Sequence, residues 1–148
     1  MSREPYTLSA LLSKLADVER ECANFYRETE SHGNIELEKS FSMFLKEHEE
    51  VGEKIEMVKR EGLIEFTLEP IPDLRINEQL KKVKDLVQGK STHTTQKAIT
   101  IEKEISKLME EISNKIGHMS ADANQVLSIA QKRASRRIKV LEQYIKEN

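Results

Sequence analysis

The sequence has little of what most small catalytic and metal–sulfur proteins are built from. Cysteine occurs once, at Cys22, which excludes an internal disulfide framework, a four-cysteine zinc site and a cysteine-ligated iron–sulfur cluster. Five glycines and three prolines are too few for the many turns of a β-sandwich or barrel. Tryptophan is absent and aromatics make up 5% of the chain. No apolar run approaches the roughly 18–20 residues of a membrane span. Met1 to Leu8 carries no apolar core of the signal-peptide type, so a cytoplasmic, reducing compartment is expected. A Gly-rich phosphate loop, a nucleophile elbow and a Cys-x-x-Cys pair are all missing.

What is abundant is Ala, Leu, Ile, Glu and Lys, the composition of long amphipathic helices, with charged residues at 34% of the chain. The 148 residues suit one domain. The net charge of −2 is unevenly spread: residues 1–62 sum to −5, residues 63–119 to zero and residues 120–148 to +3. An asymmetry of that size can steer subunits together or form a patch for an anionic ligand, but is too small to announce nucleic acid.

Four long segments show helical periodicity. Leu8 to Thr29, with Thr7 as N-cap, carries the stripe Leu8, Leu12, Leu15, Glu19, Cys22, Tyr26. Gly33 and Asn34 break it. Ile35 to Arg60 carries Leu37, Phe41, Phe44, His48, Val51, Ile55 and Val58, with Gly62 placed to terminate it. Thr95 to Ile116 carries Ala98, Glu102, Ile105, Met109 and Ile112, ending at Gly117, and a fourth helix after Ser120 carries Val126, Ile129 or Ala130, Arg133, Arg137, Val140 and Tyr144. Short joints around His32-Gly33-Asn34 and Gly117-His118-Met119 predict two antiparallel hairpins. Residues 62–94 between them include Glu69-Pro70-Ile71-Pro72 and a modest helical stretch near Asn77 to Val87, enough to cross the length of a bundle. The expected fold is all-α: a ferritin-like four-helix bundle of two hairpins joined by a long crossover with a short extra helix. The hairpins also read as repeats, with Val18-Glu19-Arg20-Glu21 aligning on Ile101-Glu102-Lys103-Glu104.

Each stripe is interrupted once by a group that prefers water: Glu19, His48, Glu102 and Arg133. A lone core glutamate costs several kcal/mol or takes up a proton, so four interruptions at similar depth suggest that they meet. The plainer explanation is that one or two stripes rotate and release these side chains to solvent.

Ala16-Asp17-Val18-Glu19, followed by Ala23, Phe25 and Tyr26, resembles the first helix of the rubrerythrin and ferritin-like family, in which a helix glutamate ligates iron and a tyrosine follows seven residues later. Ala98-Ile99-Thr100-Ile101-Glu102 is similar to the equivalent helix of the second hairpin, and Phe41 to Ile55 keeps the apolar frame of the family's Glu-x-x-His helix. The resemblance implies the ferritin-like fold, pairing into a homodimer and, by descent, a di-iron carboxylate centre. Here the pattern departs. The two positions of the first Glu-x-x-His motif hold His48 and Val51, and those of the second Arg133 and Arg136. Valine cannot ligate, and a guanidinium brings positive charge where two cations would sit.

The expectation is therefore a metal-free core network in which Arg133 lies between Glu19 and Glu102, His48 completes the hydrogen bonding and Tyr26 stands nearby. No cofactor is then needed, and the role is non-catalytic, binding or structural. The alternative is a mononuclear metal site of Glu19, Glu102 and His48, acceptable to iron, manganese or zinc. With iron, the resemblance implies peroxide or oxygen chemistry, for which an external electron donor would be required. Glu47, Glu49 and Glu50 are expected on a solvated face, His32, His93 and His118 at surface loop positions, and the basic run from Lys132 to Lys139 on a solvated helix edge with internal pairs. Cys22 is expected to be a buried, inert thiol.

Overall fold

The computed structural model describes residues 6–29, 34–61, 70–71, 76–89, 94–116 and 120–147. They form five α-helices and one minimal strand pair: β1 (Tyr6–Thr7), α1 (Leu8–Glu28), α2 (Ile35–Glu61), β2 (Pro70–Ile71), α3 (Ile76–Gln88), α4 (Thr94–Ile116) and α5 (Ala121–Glu147). The all-α class is observed. None of these helices is long and apolar enough to cross a membrane.

Helix starts follow their capping residues. Thr7 Oγ1 accepts from Ala10 N at 3.1 Å, Asn34 Oδ1 from Leu37 N at 3.0 Å and Ser120 Oγ from Ala123 N at 3.1 Å, each satisfying a donor that the first helical turn leaves free. The expected terminators Gly62 and Gly117 lie outside the described residues, as do His32, His93 and His118.

Side-chain pairs set the helix directions. Arg27 meets Glu49 while Arg20 lies nearer Glu56, so α1 and α2 are antiparallel. Ser113 meets Asn124 while Glu102 meets Arg137, which makes α4 and α5 antiparallel too. Ser40–Tyr144, Glu47–Arg137 and Glu50–Arg133 run oppositely along α2 and α5, joining the hairpins through those two helices. On the other side α3 lies between α1 and α4 and runs antiparallel to α4, through Gln79–Glu111 at 2.6 Å and Lys82–Glu104 at 2.9 Å. The chain between the hairpins thus passes β1, where Thr7 pairs with Pro70, and then travels along the bundle as α3. Thirteen helical residues cover about 20 Å.

The apolar core is in two parts. One joins Leu8 to Leu15, Ile105 to Ile116 and Ala123 to Ala134; the other gathers Tyr26, Phe41, Phe44, Ala98 and Leu141. On α2 and α5 the boundary between them falls at a charged residue: His48 separates Phe44 from Val51, and Arg137 separates Ala134 from Leu141. On α4 the boundary lies between Ile99 and Ile101, and Glu102 follows directly after it. The repeat is visible in burial as well: Leu15, Ala16, Val18, Glu19, Cys22 and Tyr26 are buried, and so is the residue 83 positions after each.

Candidate functional site

Four helices each send one charged side chain into this boundary. Glu19, His48 and Glu102 are 0% exposed and Arg137 is 1% exposed. The imidazole of His48 stands between the two carboxylates. Its Nδ1 is hydrogen-bonded to Glu19 Oε2, and its Nε2 is 2.9 Å from Glu102 Oε2. The same Glu102 oxygen accepts the Tyr26 hydroxyl at 2.6 Å and lies 2.9 Å from Arg137 Nε. That last contact is an ion pair by distance; the Nε–H points off the line to the oxygen, so charge rather than an aligned hydrogen bond holds it.

Packing fixes the geometry. Tyr26 stacks on the His48 ring at 5.7 Å between centroids, and Phe41 and Phe44 flank Tyr26 at 5.4 Å each. Gly52 faces α1 beside the glutamate, where an added Cβ would sit 3.5 Å from Glu19 Cβ, an ordinary contact. Outside the core, Arg137 Nη1 donates to Glu47 Oε1 at 3.0 Å, and Arg136 holds the other oxygen of Glu47.

The electrostatics follow from this arrangement. Burial pushes the Glu102 carboxyl up, but His48, Arg137 and the Tyr26 hydrogen bond outweigh it and bring its pKa down to about 2. Burial pulls His48 down, yet the two carboxylates leave it raised above the ordinary imidazole value. The Tyr26 hydroxyl is raised by burial and by Glu102. Two acceptor oxygens on opposite edges of one imidazole require both nitrogens to donate, which is the cationic ring. Glu19 and Glu102 against His48 and Arg137 then sum to zero, and Glu47 with Arg136 forms a second neutral set.

Of the residues singled out in the sequence, Glu19, His48, Glu102 and Tyr26 are brought together. Arg133 is not. Its side chain is 24% exposed and pairs with Glu50 at 3.1 Å on the surface, while Arg137, one turn later, enters the core. The stripe Val126, Ile129 or Ala130, Arg133, Arg137, Val140, Tyr144 contains both arginines but assigns the interruption to Arg133, whereas the buried face runs Ala123, Leu127, Ala130, Ala134, Arg137, Leu141 at alternating steps of four and three. Three of those six are alanines, whose small side chains let α5 come close to its neighbours. That alanine line separates Arg137 from Arg133. Glu47 is the second correction: it is 12% exposed and grips two arginines rather than facing solvent. Nothing in α2 alone marks it, because its burial comes from α5. Glu49 and Glu50 are exposed as expected, and Cys22 is fully buried, its thiol raised by burial and by the nearby Glu19 and Glu102.

The donor set does not fit a carboxylate-bridged di-iron centre. Val51 offers no ligand, and Arg137 puts a guanidinium against Glu102 where a cation would lie. Among the described residues no three His, Cys, Asp or Glu side chains are disposed around one point as a metal site requires. The reason is visible in His48, whose two nitrogens diverge toward different carboxylates. No family model, curated protein or solved structure matches the chain.

Proposed function

We propose that this chain is a ferritin-like bundle of rubrerythrin type in which protein cations stand where the family holds metal, and that its role is structural or binding rather than catalytic. One observation carries the reading: His48 bridges Glu19 and Glu102 through both ring nitrogens while Arg137 reaches Glu102 at 2.9 Å. The two carboxylates are thereby balanced within the protein. The connection through α3 agrees with the single long crossover of the ferritin-like plan.

One observation favours a second reading. Glu19 Oε1 and Glu102 Oε1 are buried and accept no hydrogen bond among the described residues, so each carboxylate keeps an oxygen for a cation. A single iron, manganese or zinc ion would be held there by Glu19, Glu102 and a turned His48, and with an external electron donor would support peroxide or oxygen chemistry.

Metal content of protein purified without chelator or affinity tag separates the two. Less than about 0.1 ion per chain, persisting after iron is offered anaerobically, is expected for the neutral network. About one ion per chain, lost in Glu19→Ala, would replace that reading with the mononuclear site.

A further inference from the structure

Where α3 lies against α1, the two helices leave a groove between them. Lys14, Asp17, Glu21 and Asn24 follow along α1 at steps of three, four and three residues. Asn77, Lys81 and Lys84 follow along α3 at steps of four and three, so each set forms one ridge. Val18 and Leu80 make an apolar floor, 7% and 9% exposed. The groove holds about 510 Å³, within the range of small-molecule sites. On its far side α3 is fastened to α4 by Gln79–Glu111 and Lys82–Glu104, which engages Lys82 but leaves Lys81 and Lys84 to the groove.

Charge decides what fits. Arg20 also lines the groove, but it is held by Asp17 and lies 3.9 Å from Glu56. Lys14, Lys81 and Lys84 are exposed and have no ion-pair partner among the described residues. With Asp17 engaged, only the half-buried Glu21 stands against them, so three lysines and one carboxylate leave an excess of two positive charges. Two ammonium groups one turn apart suit the oxygens of a phosphate chain. A floor of two aliphatic side chains takes one flat ring, and the Glu21 carboxylate accepts from a sugar hydroxyl or a ring amine. From Lys14 to Asn24 the α1 ridge is about 15 Å long, which suits one nucleotide rather than a polymer.

We propose that the groove between α1 and α3 binds a nucleotide, with its phosphates on Lys81 and Lys84 and its base and sugar over Val18 and Leu80. None of the lining residues belongs to the buried cluster, so the ligand is independent of whether that cluster takes a metal.

Calorimetric titration of the full chain with ADP, and separately with pyrophosphate, in magnesium-free buffer at low salt tests it. Saturable ADP binding at one site per chain is expected, with pyrophosphate roughly tenfold weaker because it forgoes the apolar floor. Lys81→Glu and Lys84→Glu should each weaken ADP about tenfold. Lys107→Glu makes the same change in net charge at an exposed position of α4 outside the groove, and should leave ADP affinity within about twofold. All three substituted positions are exposed, and circular dichroism checks that the variants fold. No saturation by ADP up to several millimolar overturns the proposal. So does an equal loss in Lys107→Glu, which would mean attraction to net charge alone. Pyrophosphate binding as tightly as ADP overturns it too, since the floor would then take no part.

Discussion

The Nε2 of His48 lies 2.9 Å from Glu102 Oε2, while the opposite edge of the same ring is hydrogen-bonded to Glu19. One imidazole therefore ties α2 to α1 and to α4, and carries the positive charge that two buried carboxylates require. Arg137 adds the link to α5 and extends it to the surface through Glu47. Among the described residues, the polar cluster is the one place where four helices are cross-connected by charge. Its removal should be felt as lost stability rather than as a local change.

Arg137→Leu is expected to destabilise the fold by roughly 3–5 kcal/mol, because Glu102 and Glu47 both lose a partner and Glu102 has no access to water. Arg133→Leu should cost under about 1 kcal/mol, since Arg133 pairs with a Glu50 that is half exposed. Urea unfolding of the two variants makes the comparison. Equal losses would count against the core role of Arg137.

Stability should peak between about pH 4.5 and 6.5 as far as these groups contribute. The Glu102 pKa is lowered on folding, so its contribution is complete above its ordinary 4.5 and is lost as pH falls toward about 2, on the order of 3 kcal/mol. The His48 pKa is raised, so its contribution is complete below the ordinary 6.5 and is lost as pH rises through the folded value. Denaturant unfolding across pH 2 to 9 gives the profile, and in Glu102→Gln the acid-side loss should shrink. An acid limb unchanged in that variant would assign it to other carboxylates.

Gly52→Ala should be tolerated and slightly stabilising. The added Cβ meets Glu19 Cβ at 3.5 Å and Ala16 O at 3.7 Å, ordinary contact distances, while alanine gains about 0.5–1 kcal/mol over glycine inside a helix. Gly52→Leu should destabilise by several times that amount, because α1 fills the space a longer side chain needs. Thermal melting of both variants checks the sign and the contrast; a loss in Gly52→Ala would mean that the 3.5 Å approach to Glu19 Cβ is not tolerated.

The helices themselves were legible because their signals are local. Thr7, Asn34 and Ser120 cap where a free first-turn donor needs an oxygen, and the apolar steps of three and four set each buried face. Glu19 and Glu102 were legible for a related reason: each falls on an unambiguous stripe between large apolar neighbours, and each has the other as its counterpart in the repeat. Arg137 was harder. The stripe read on α5 holds both Arg133 and Arg137, and the alanines that mark the buried contact have little weight in an apolar pattern.

From sequence alone came an all-helical chain with interrupted stripes, because hydrogen-bonded periodicity and capping act within a few residues. The tertiary structure alone decided which arginine enters the core, that Glu47 turns inward to meet it, and that His48 reaches both carboxylates. Those outcomes depend on how closely two helices approach and at what rotation, and such distances are set by small buried residues such as Ala130 and Ala134, whose effect exists only when the opposing helix is present.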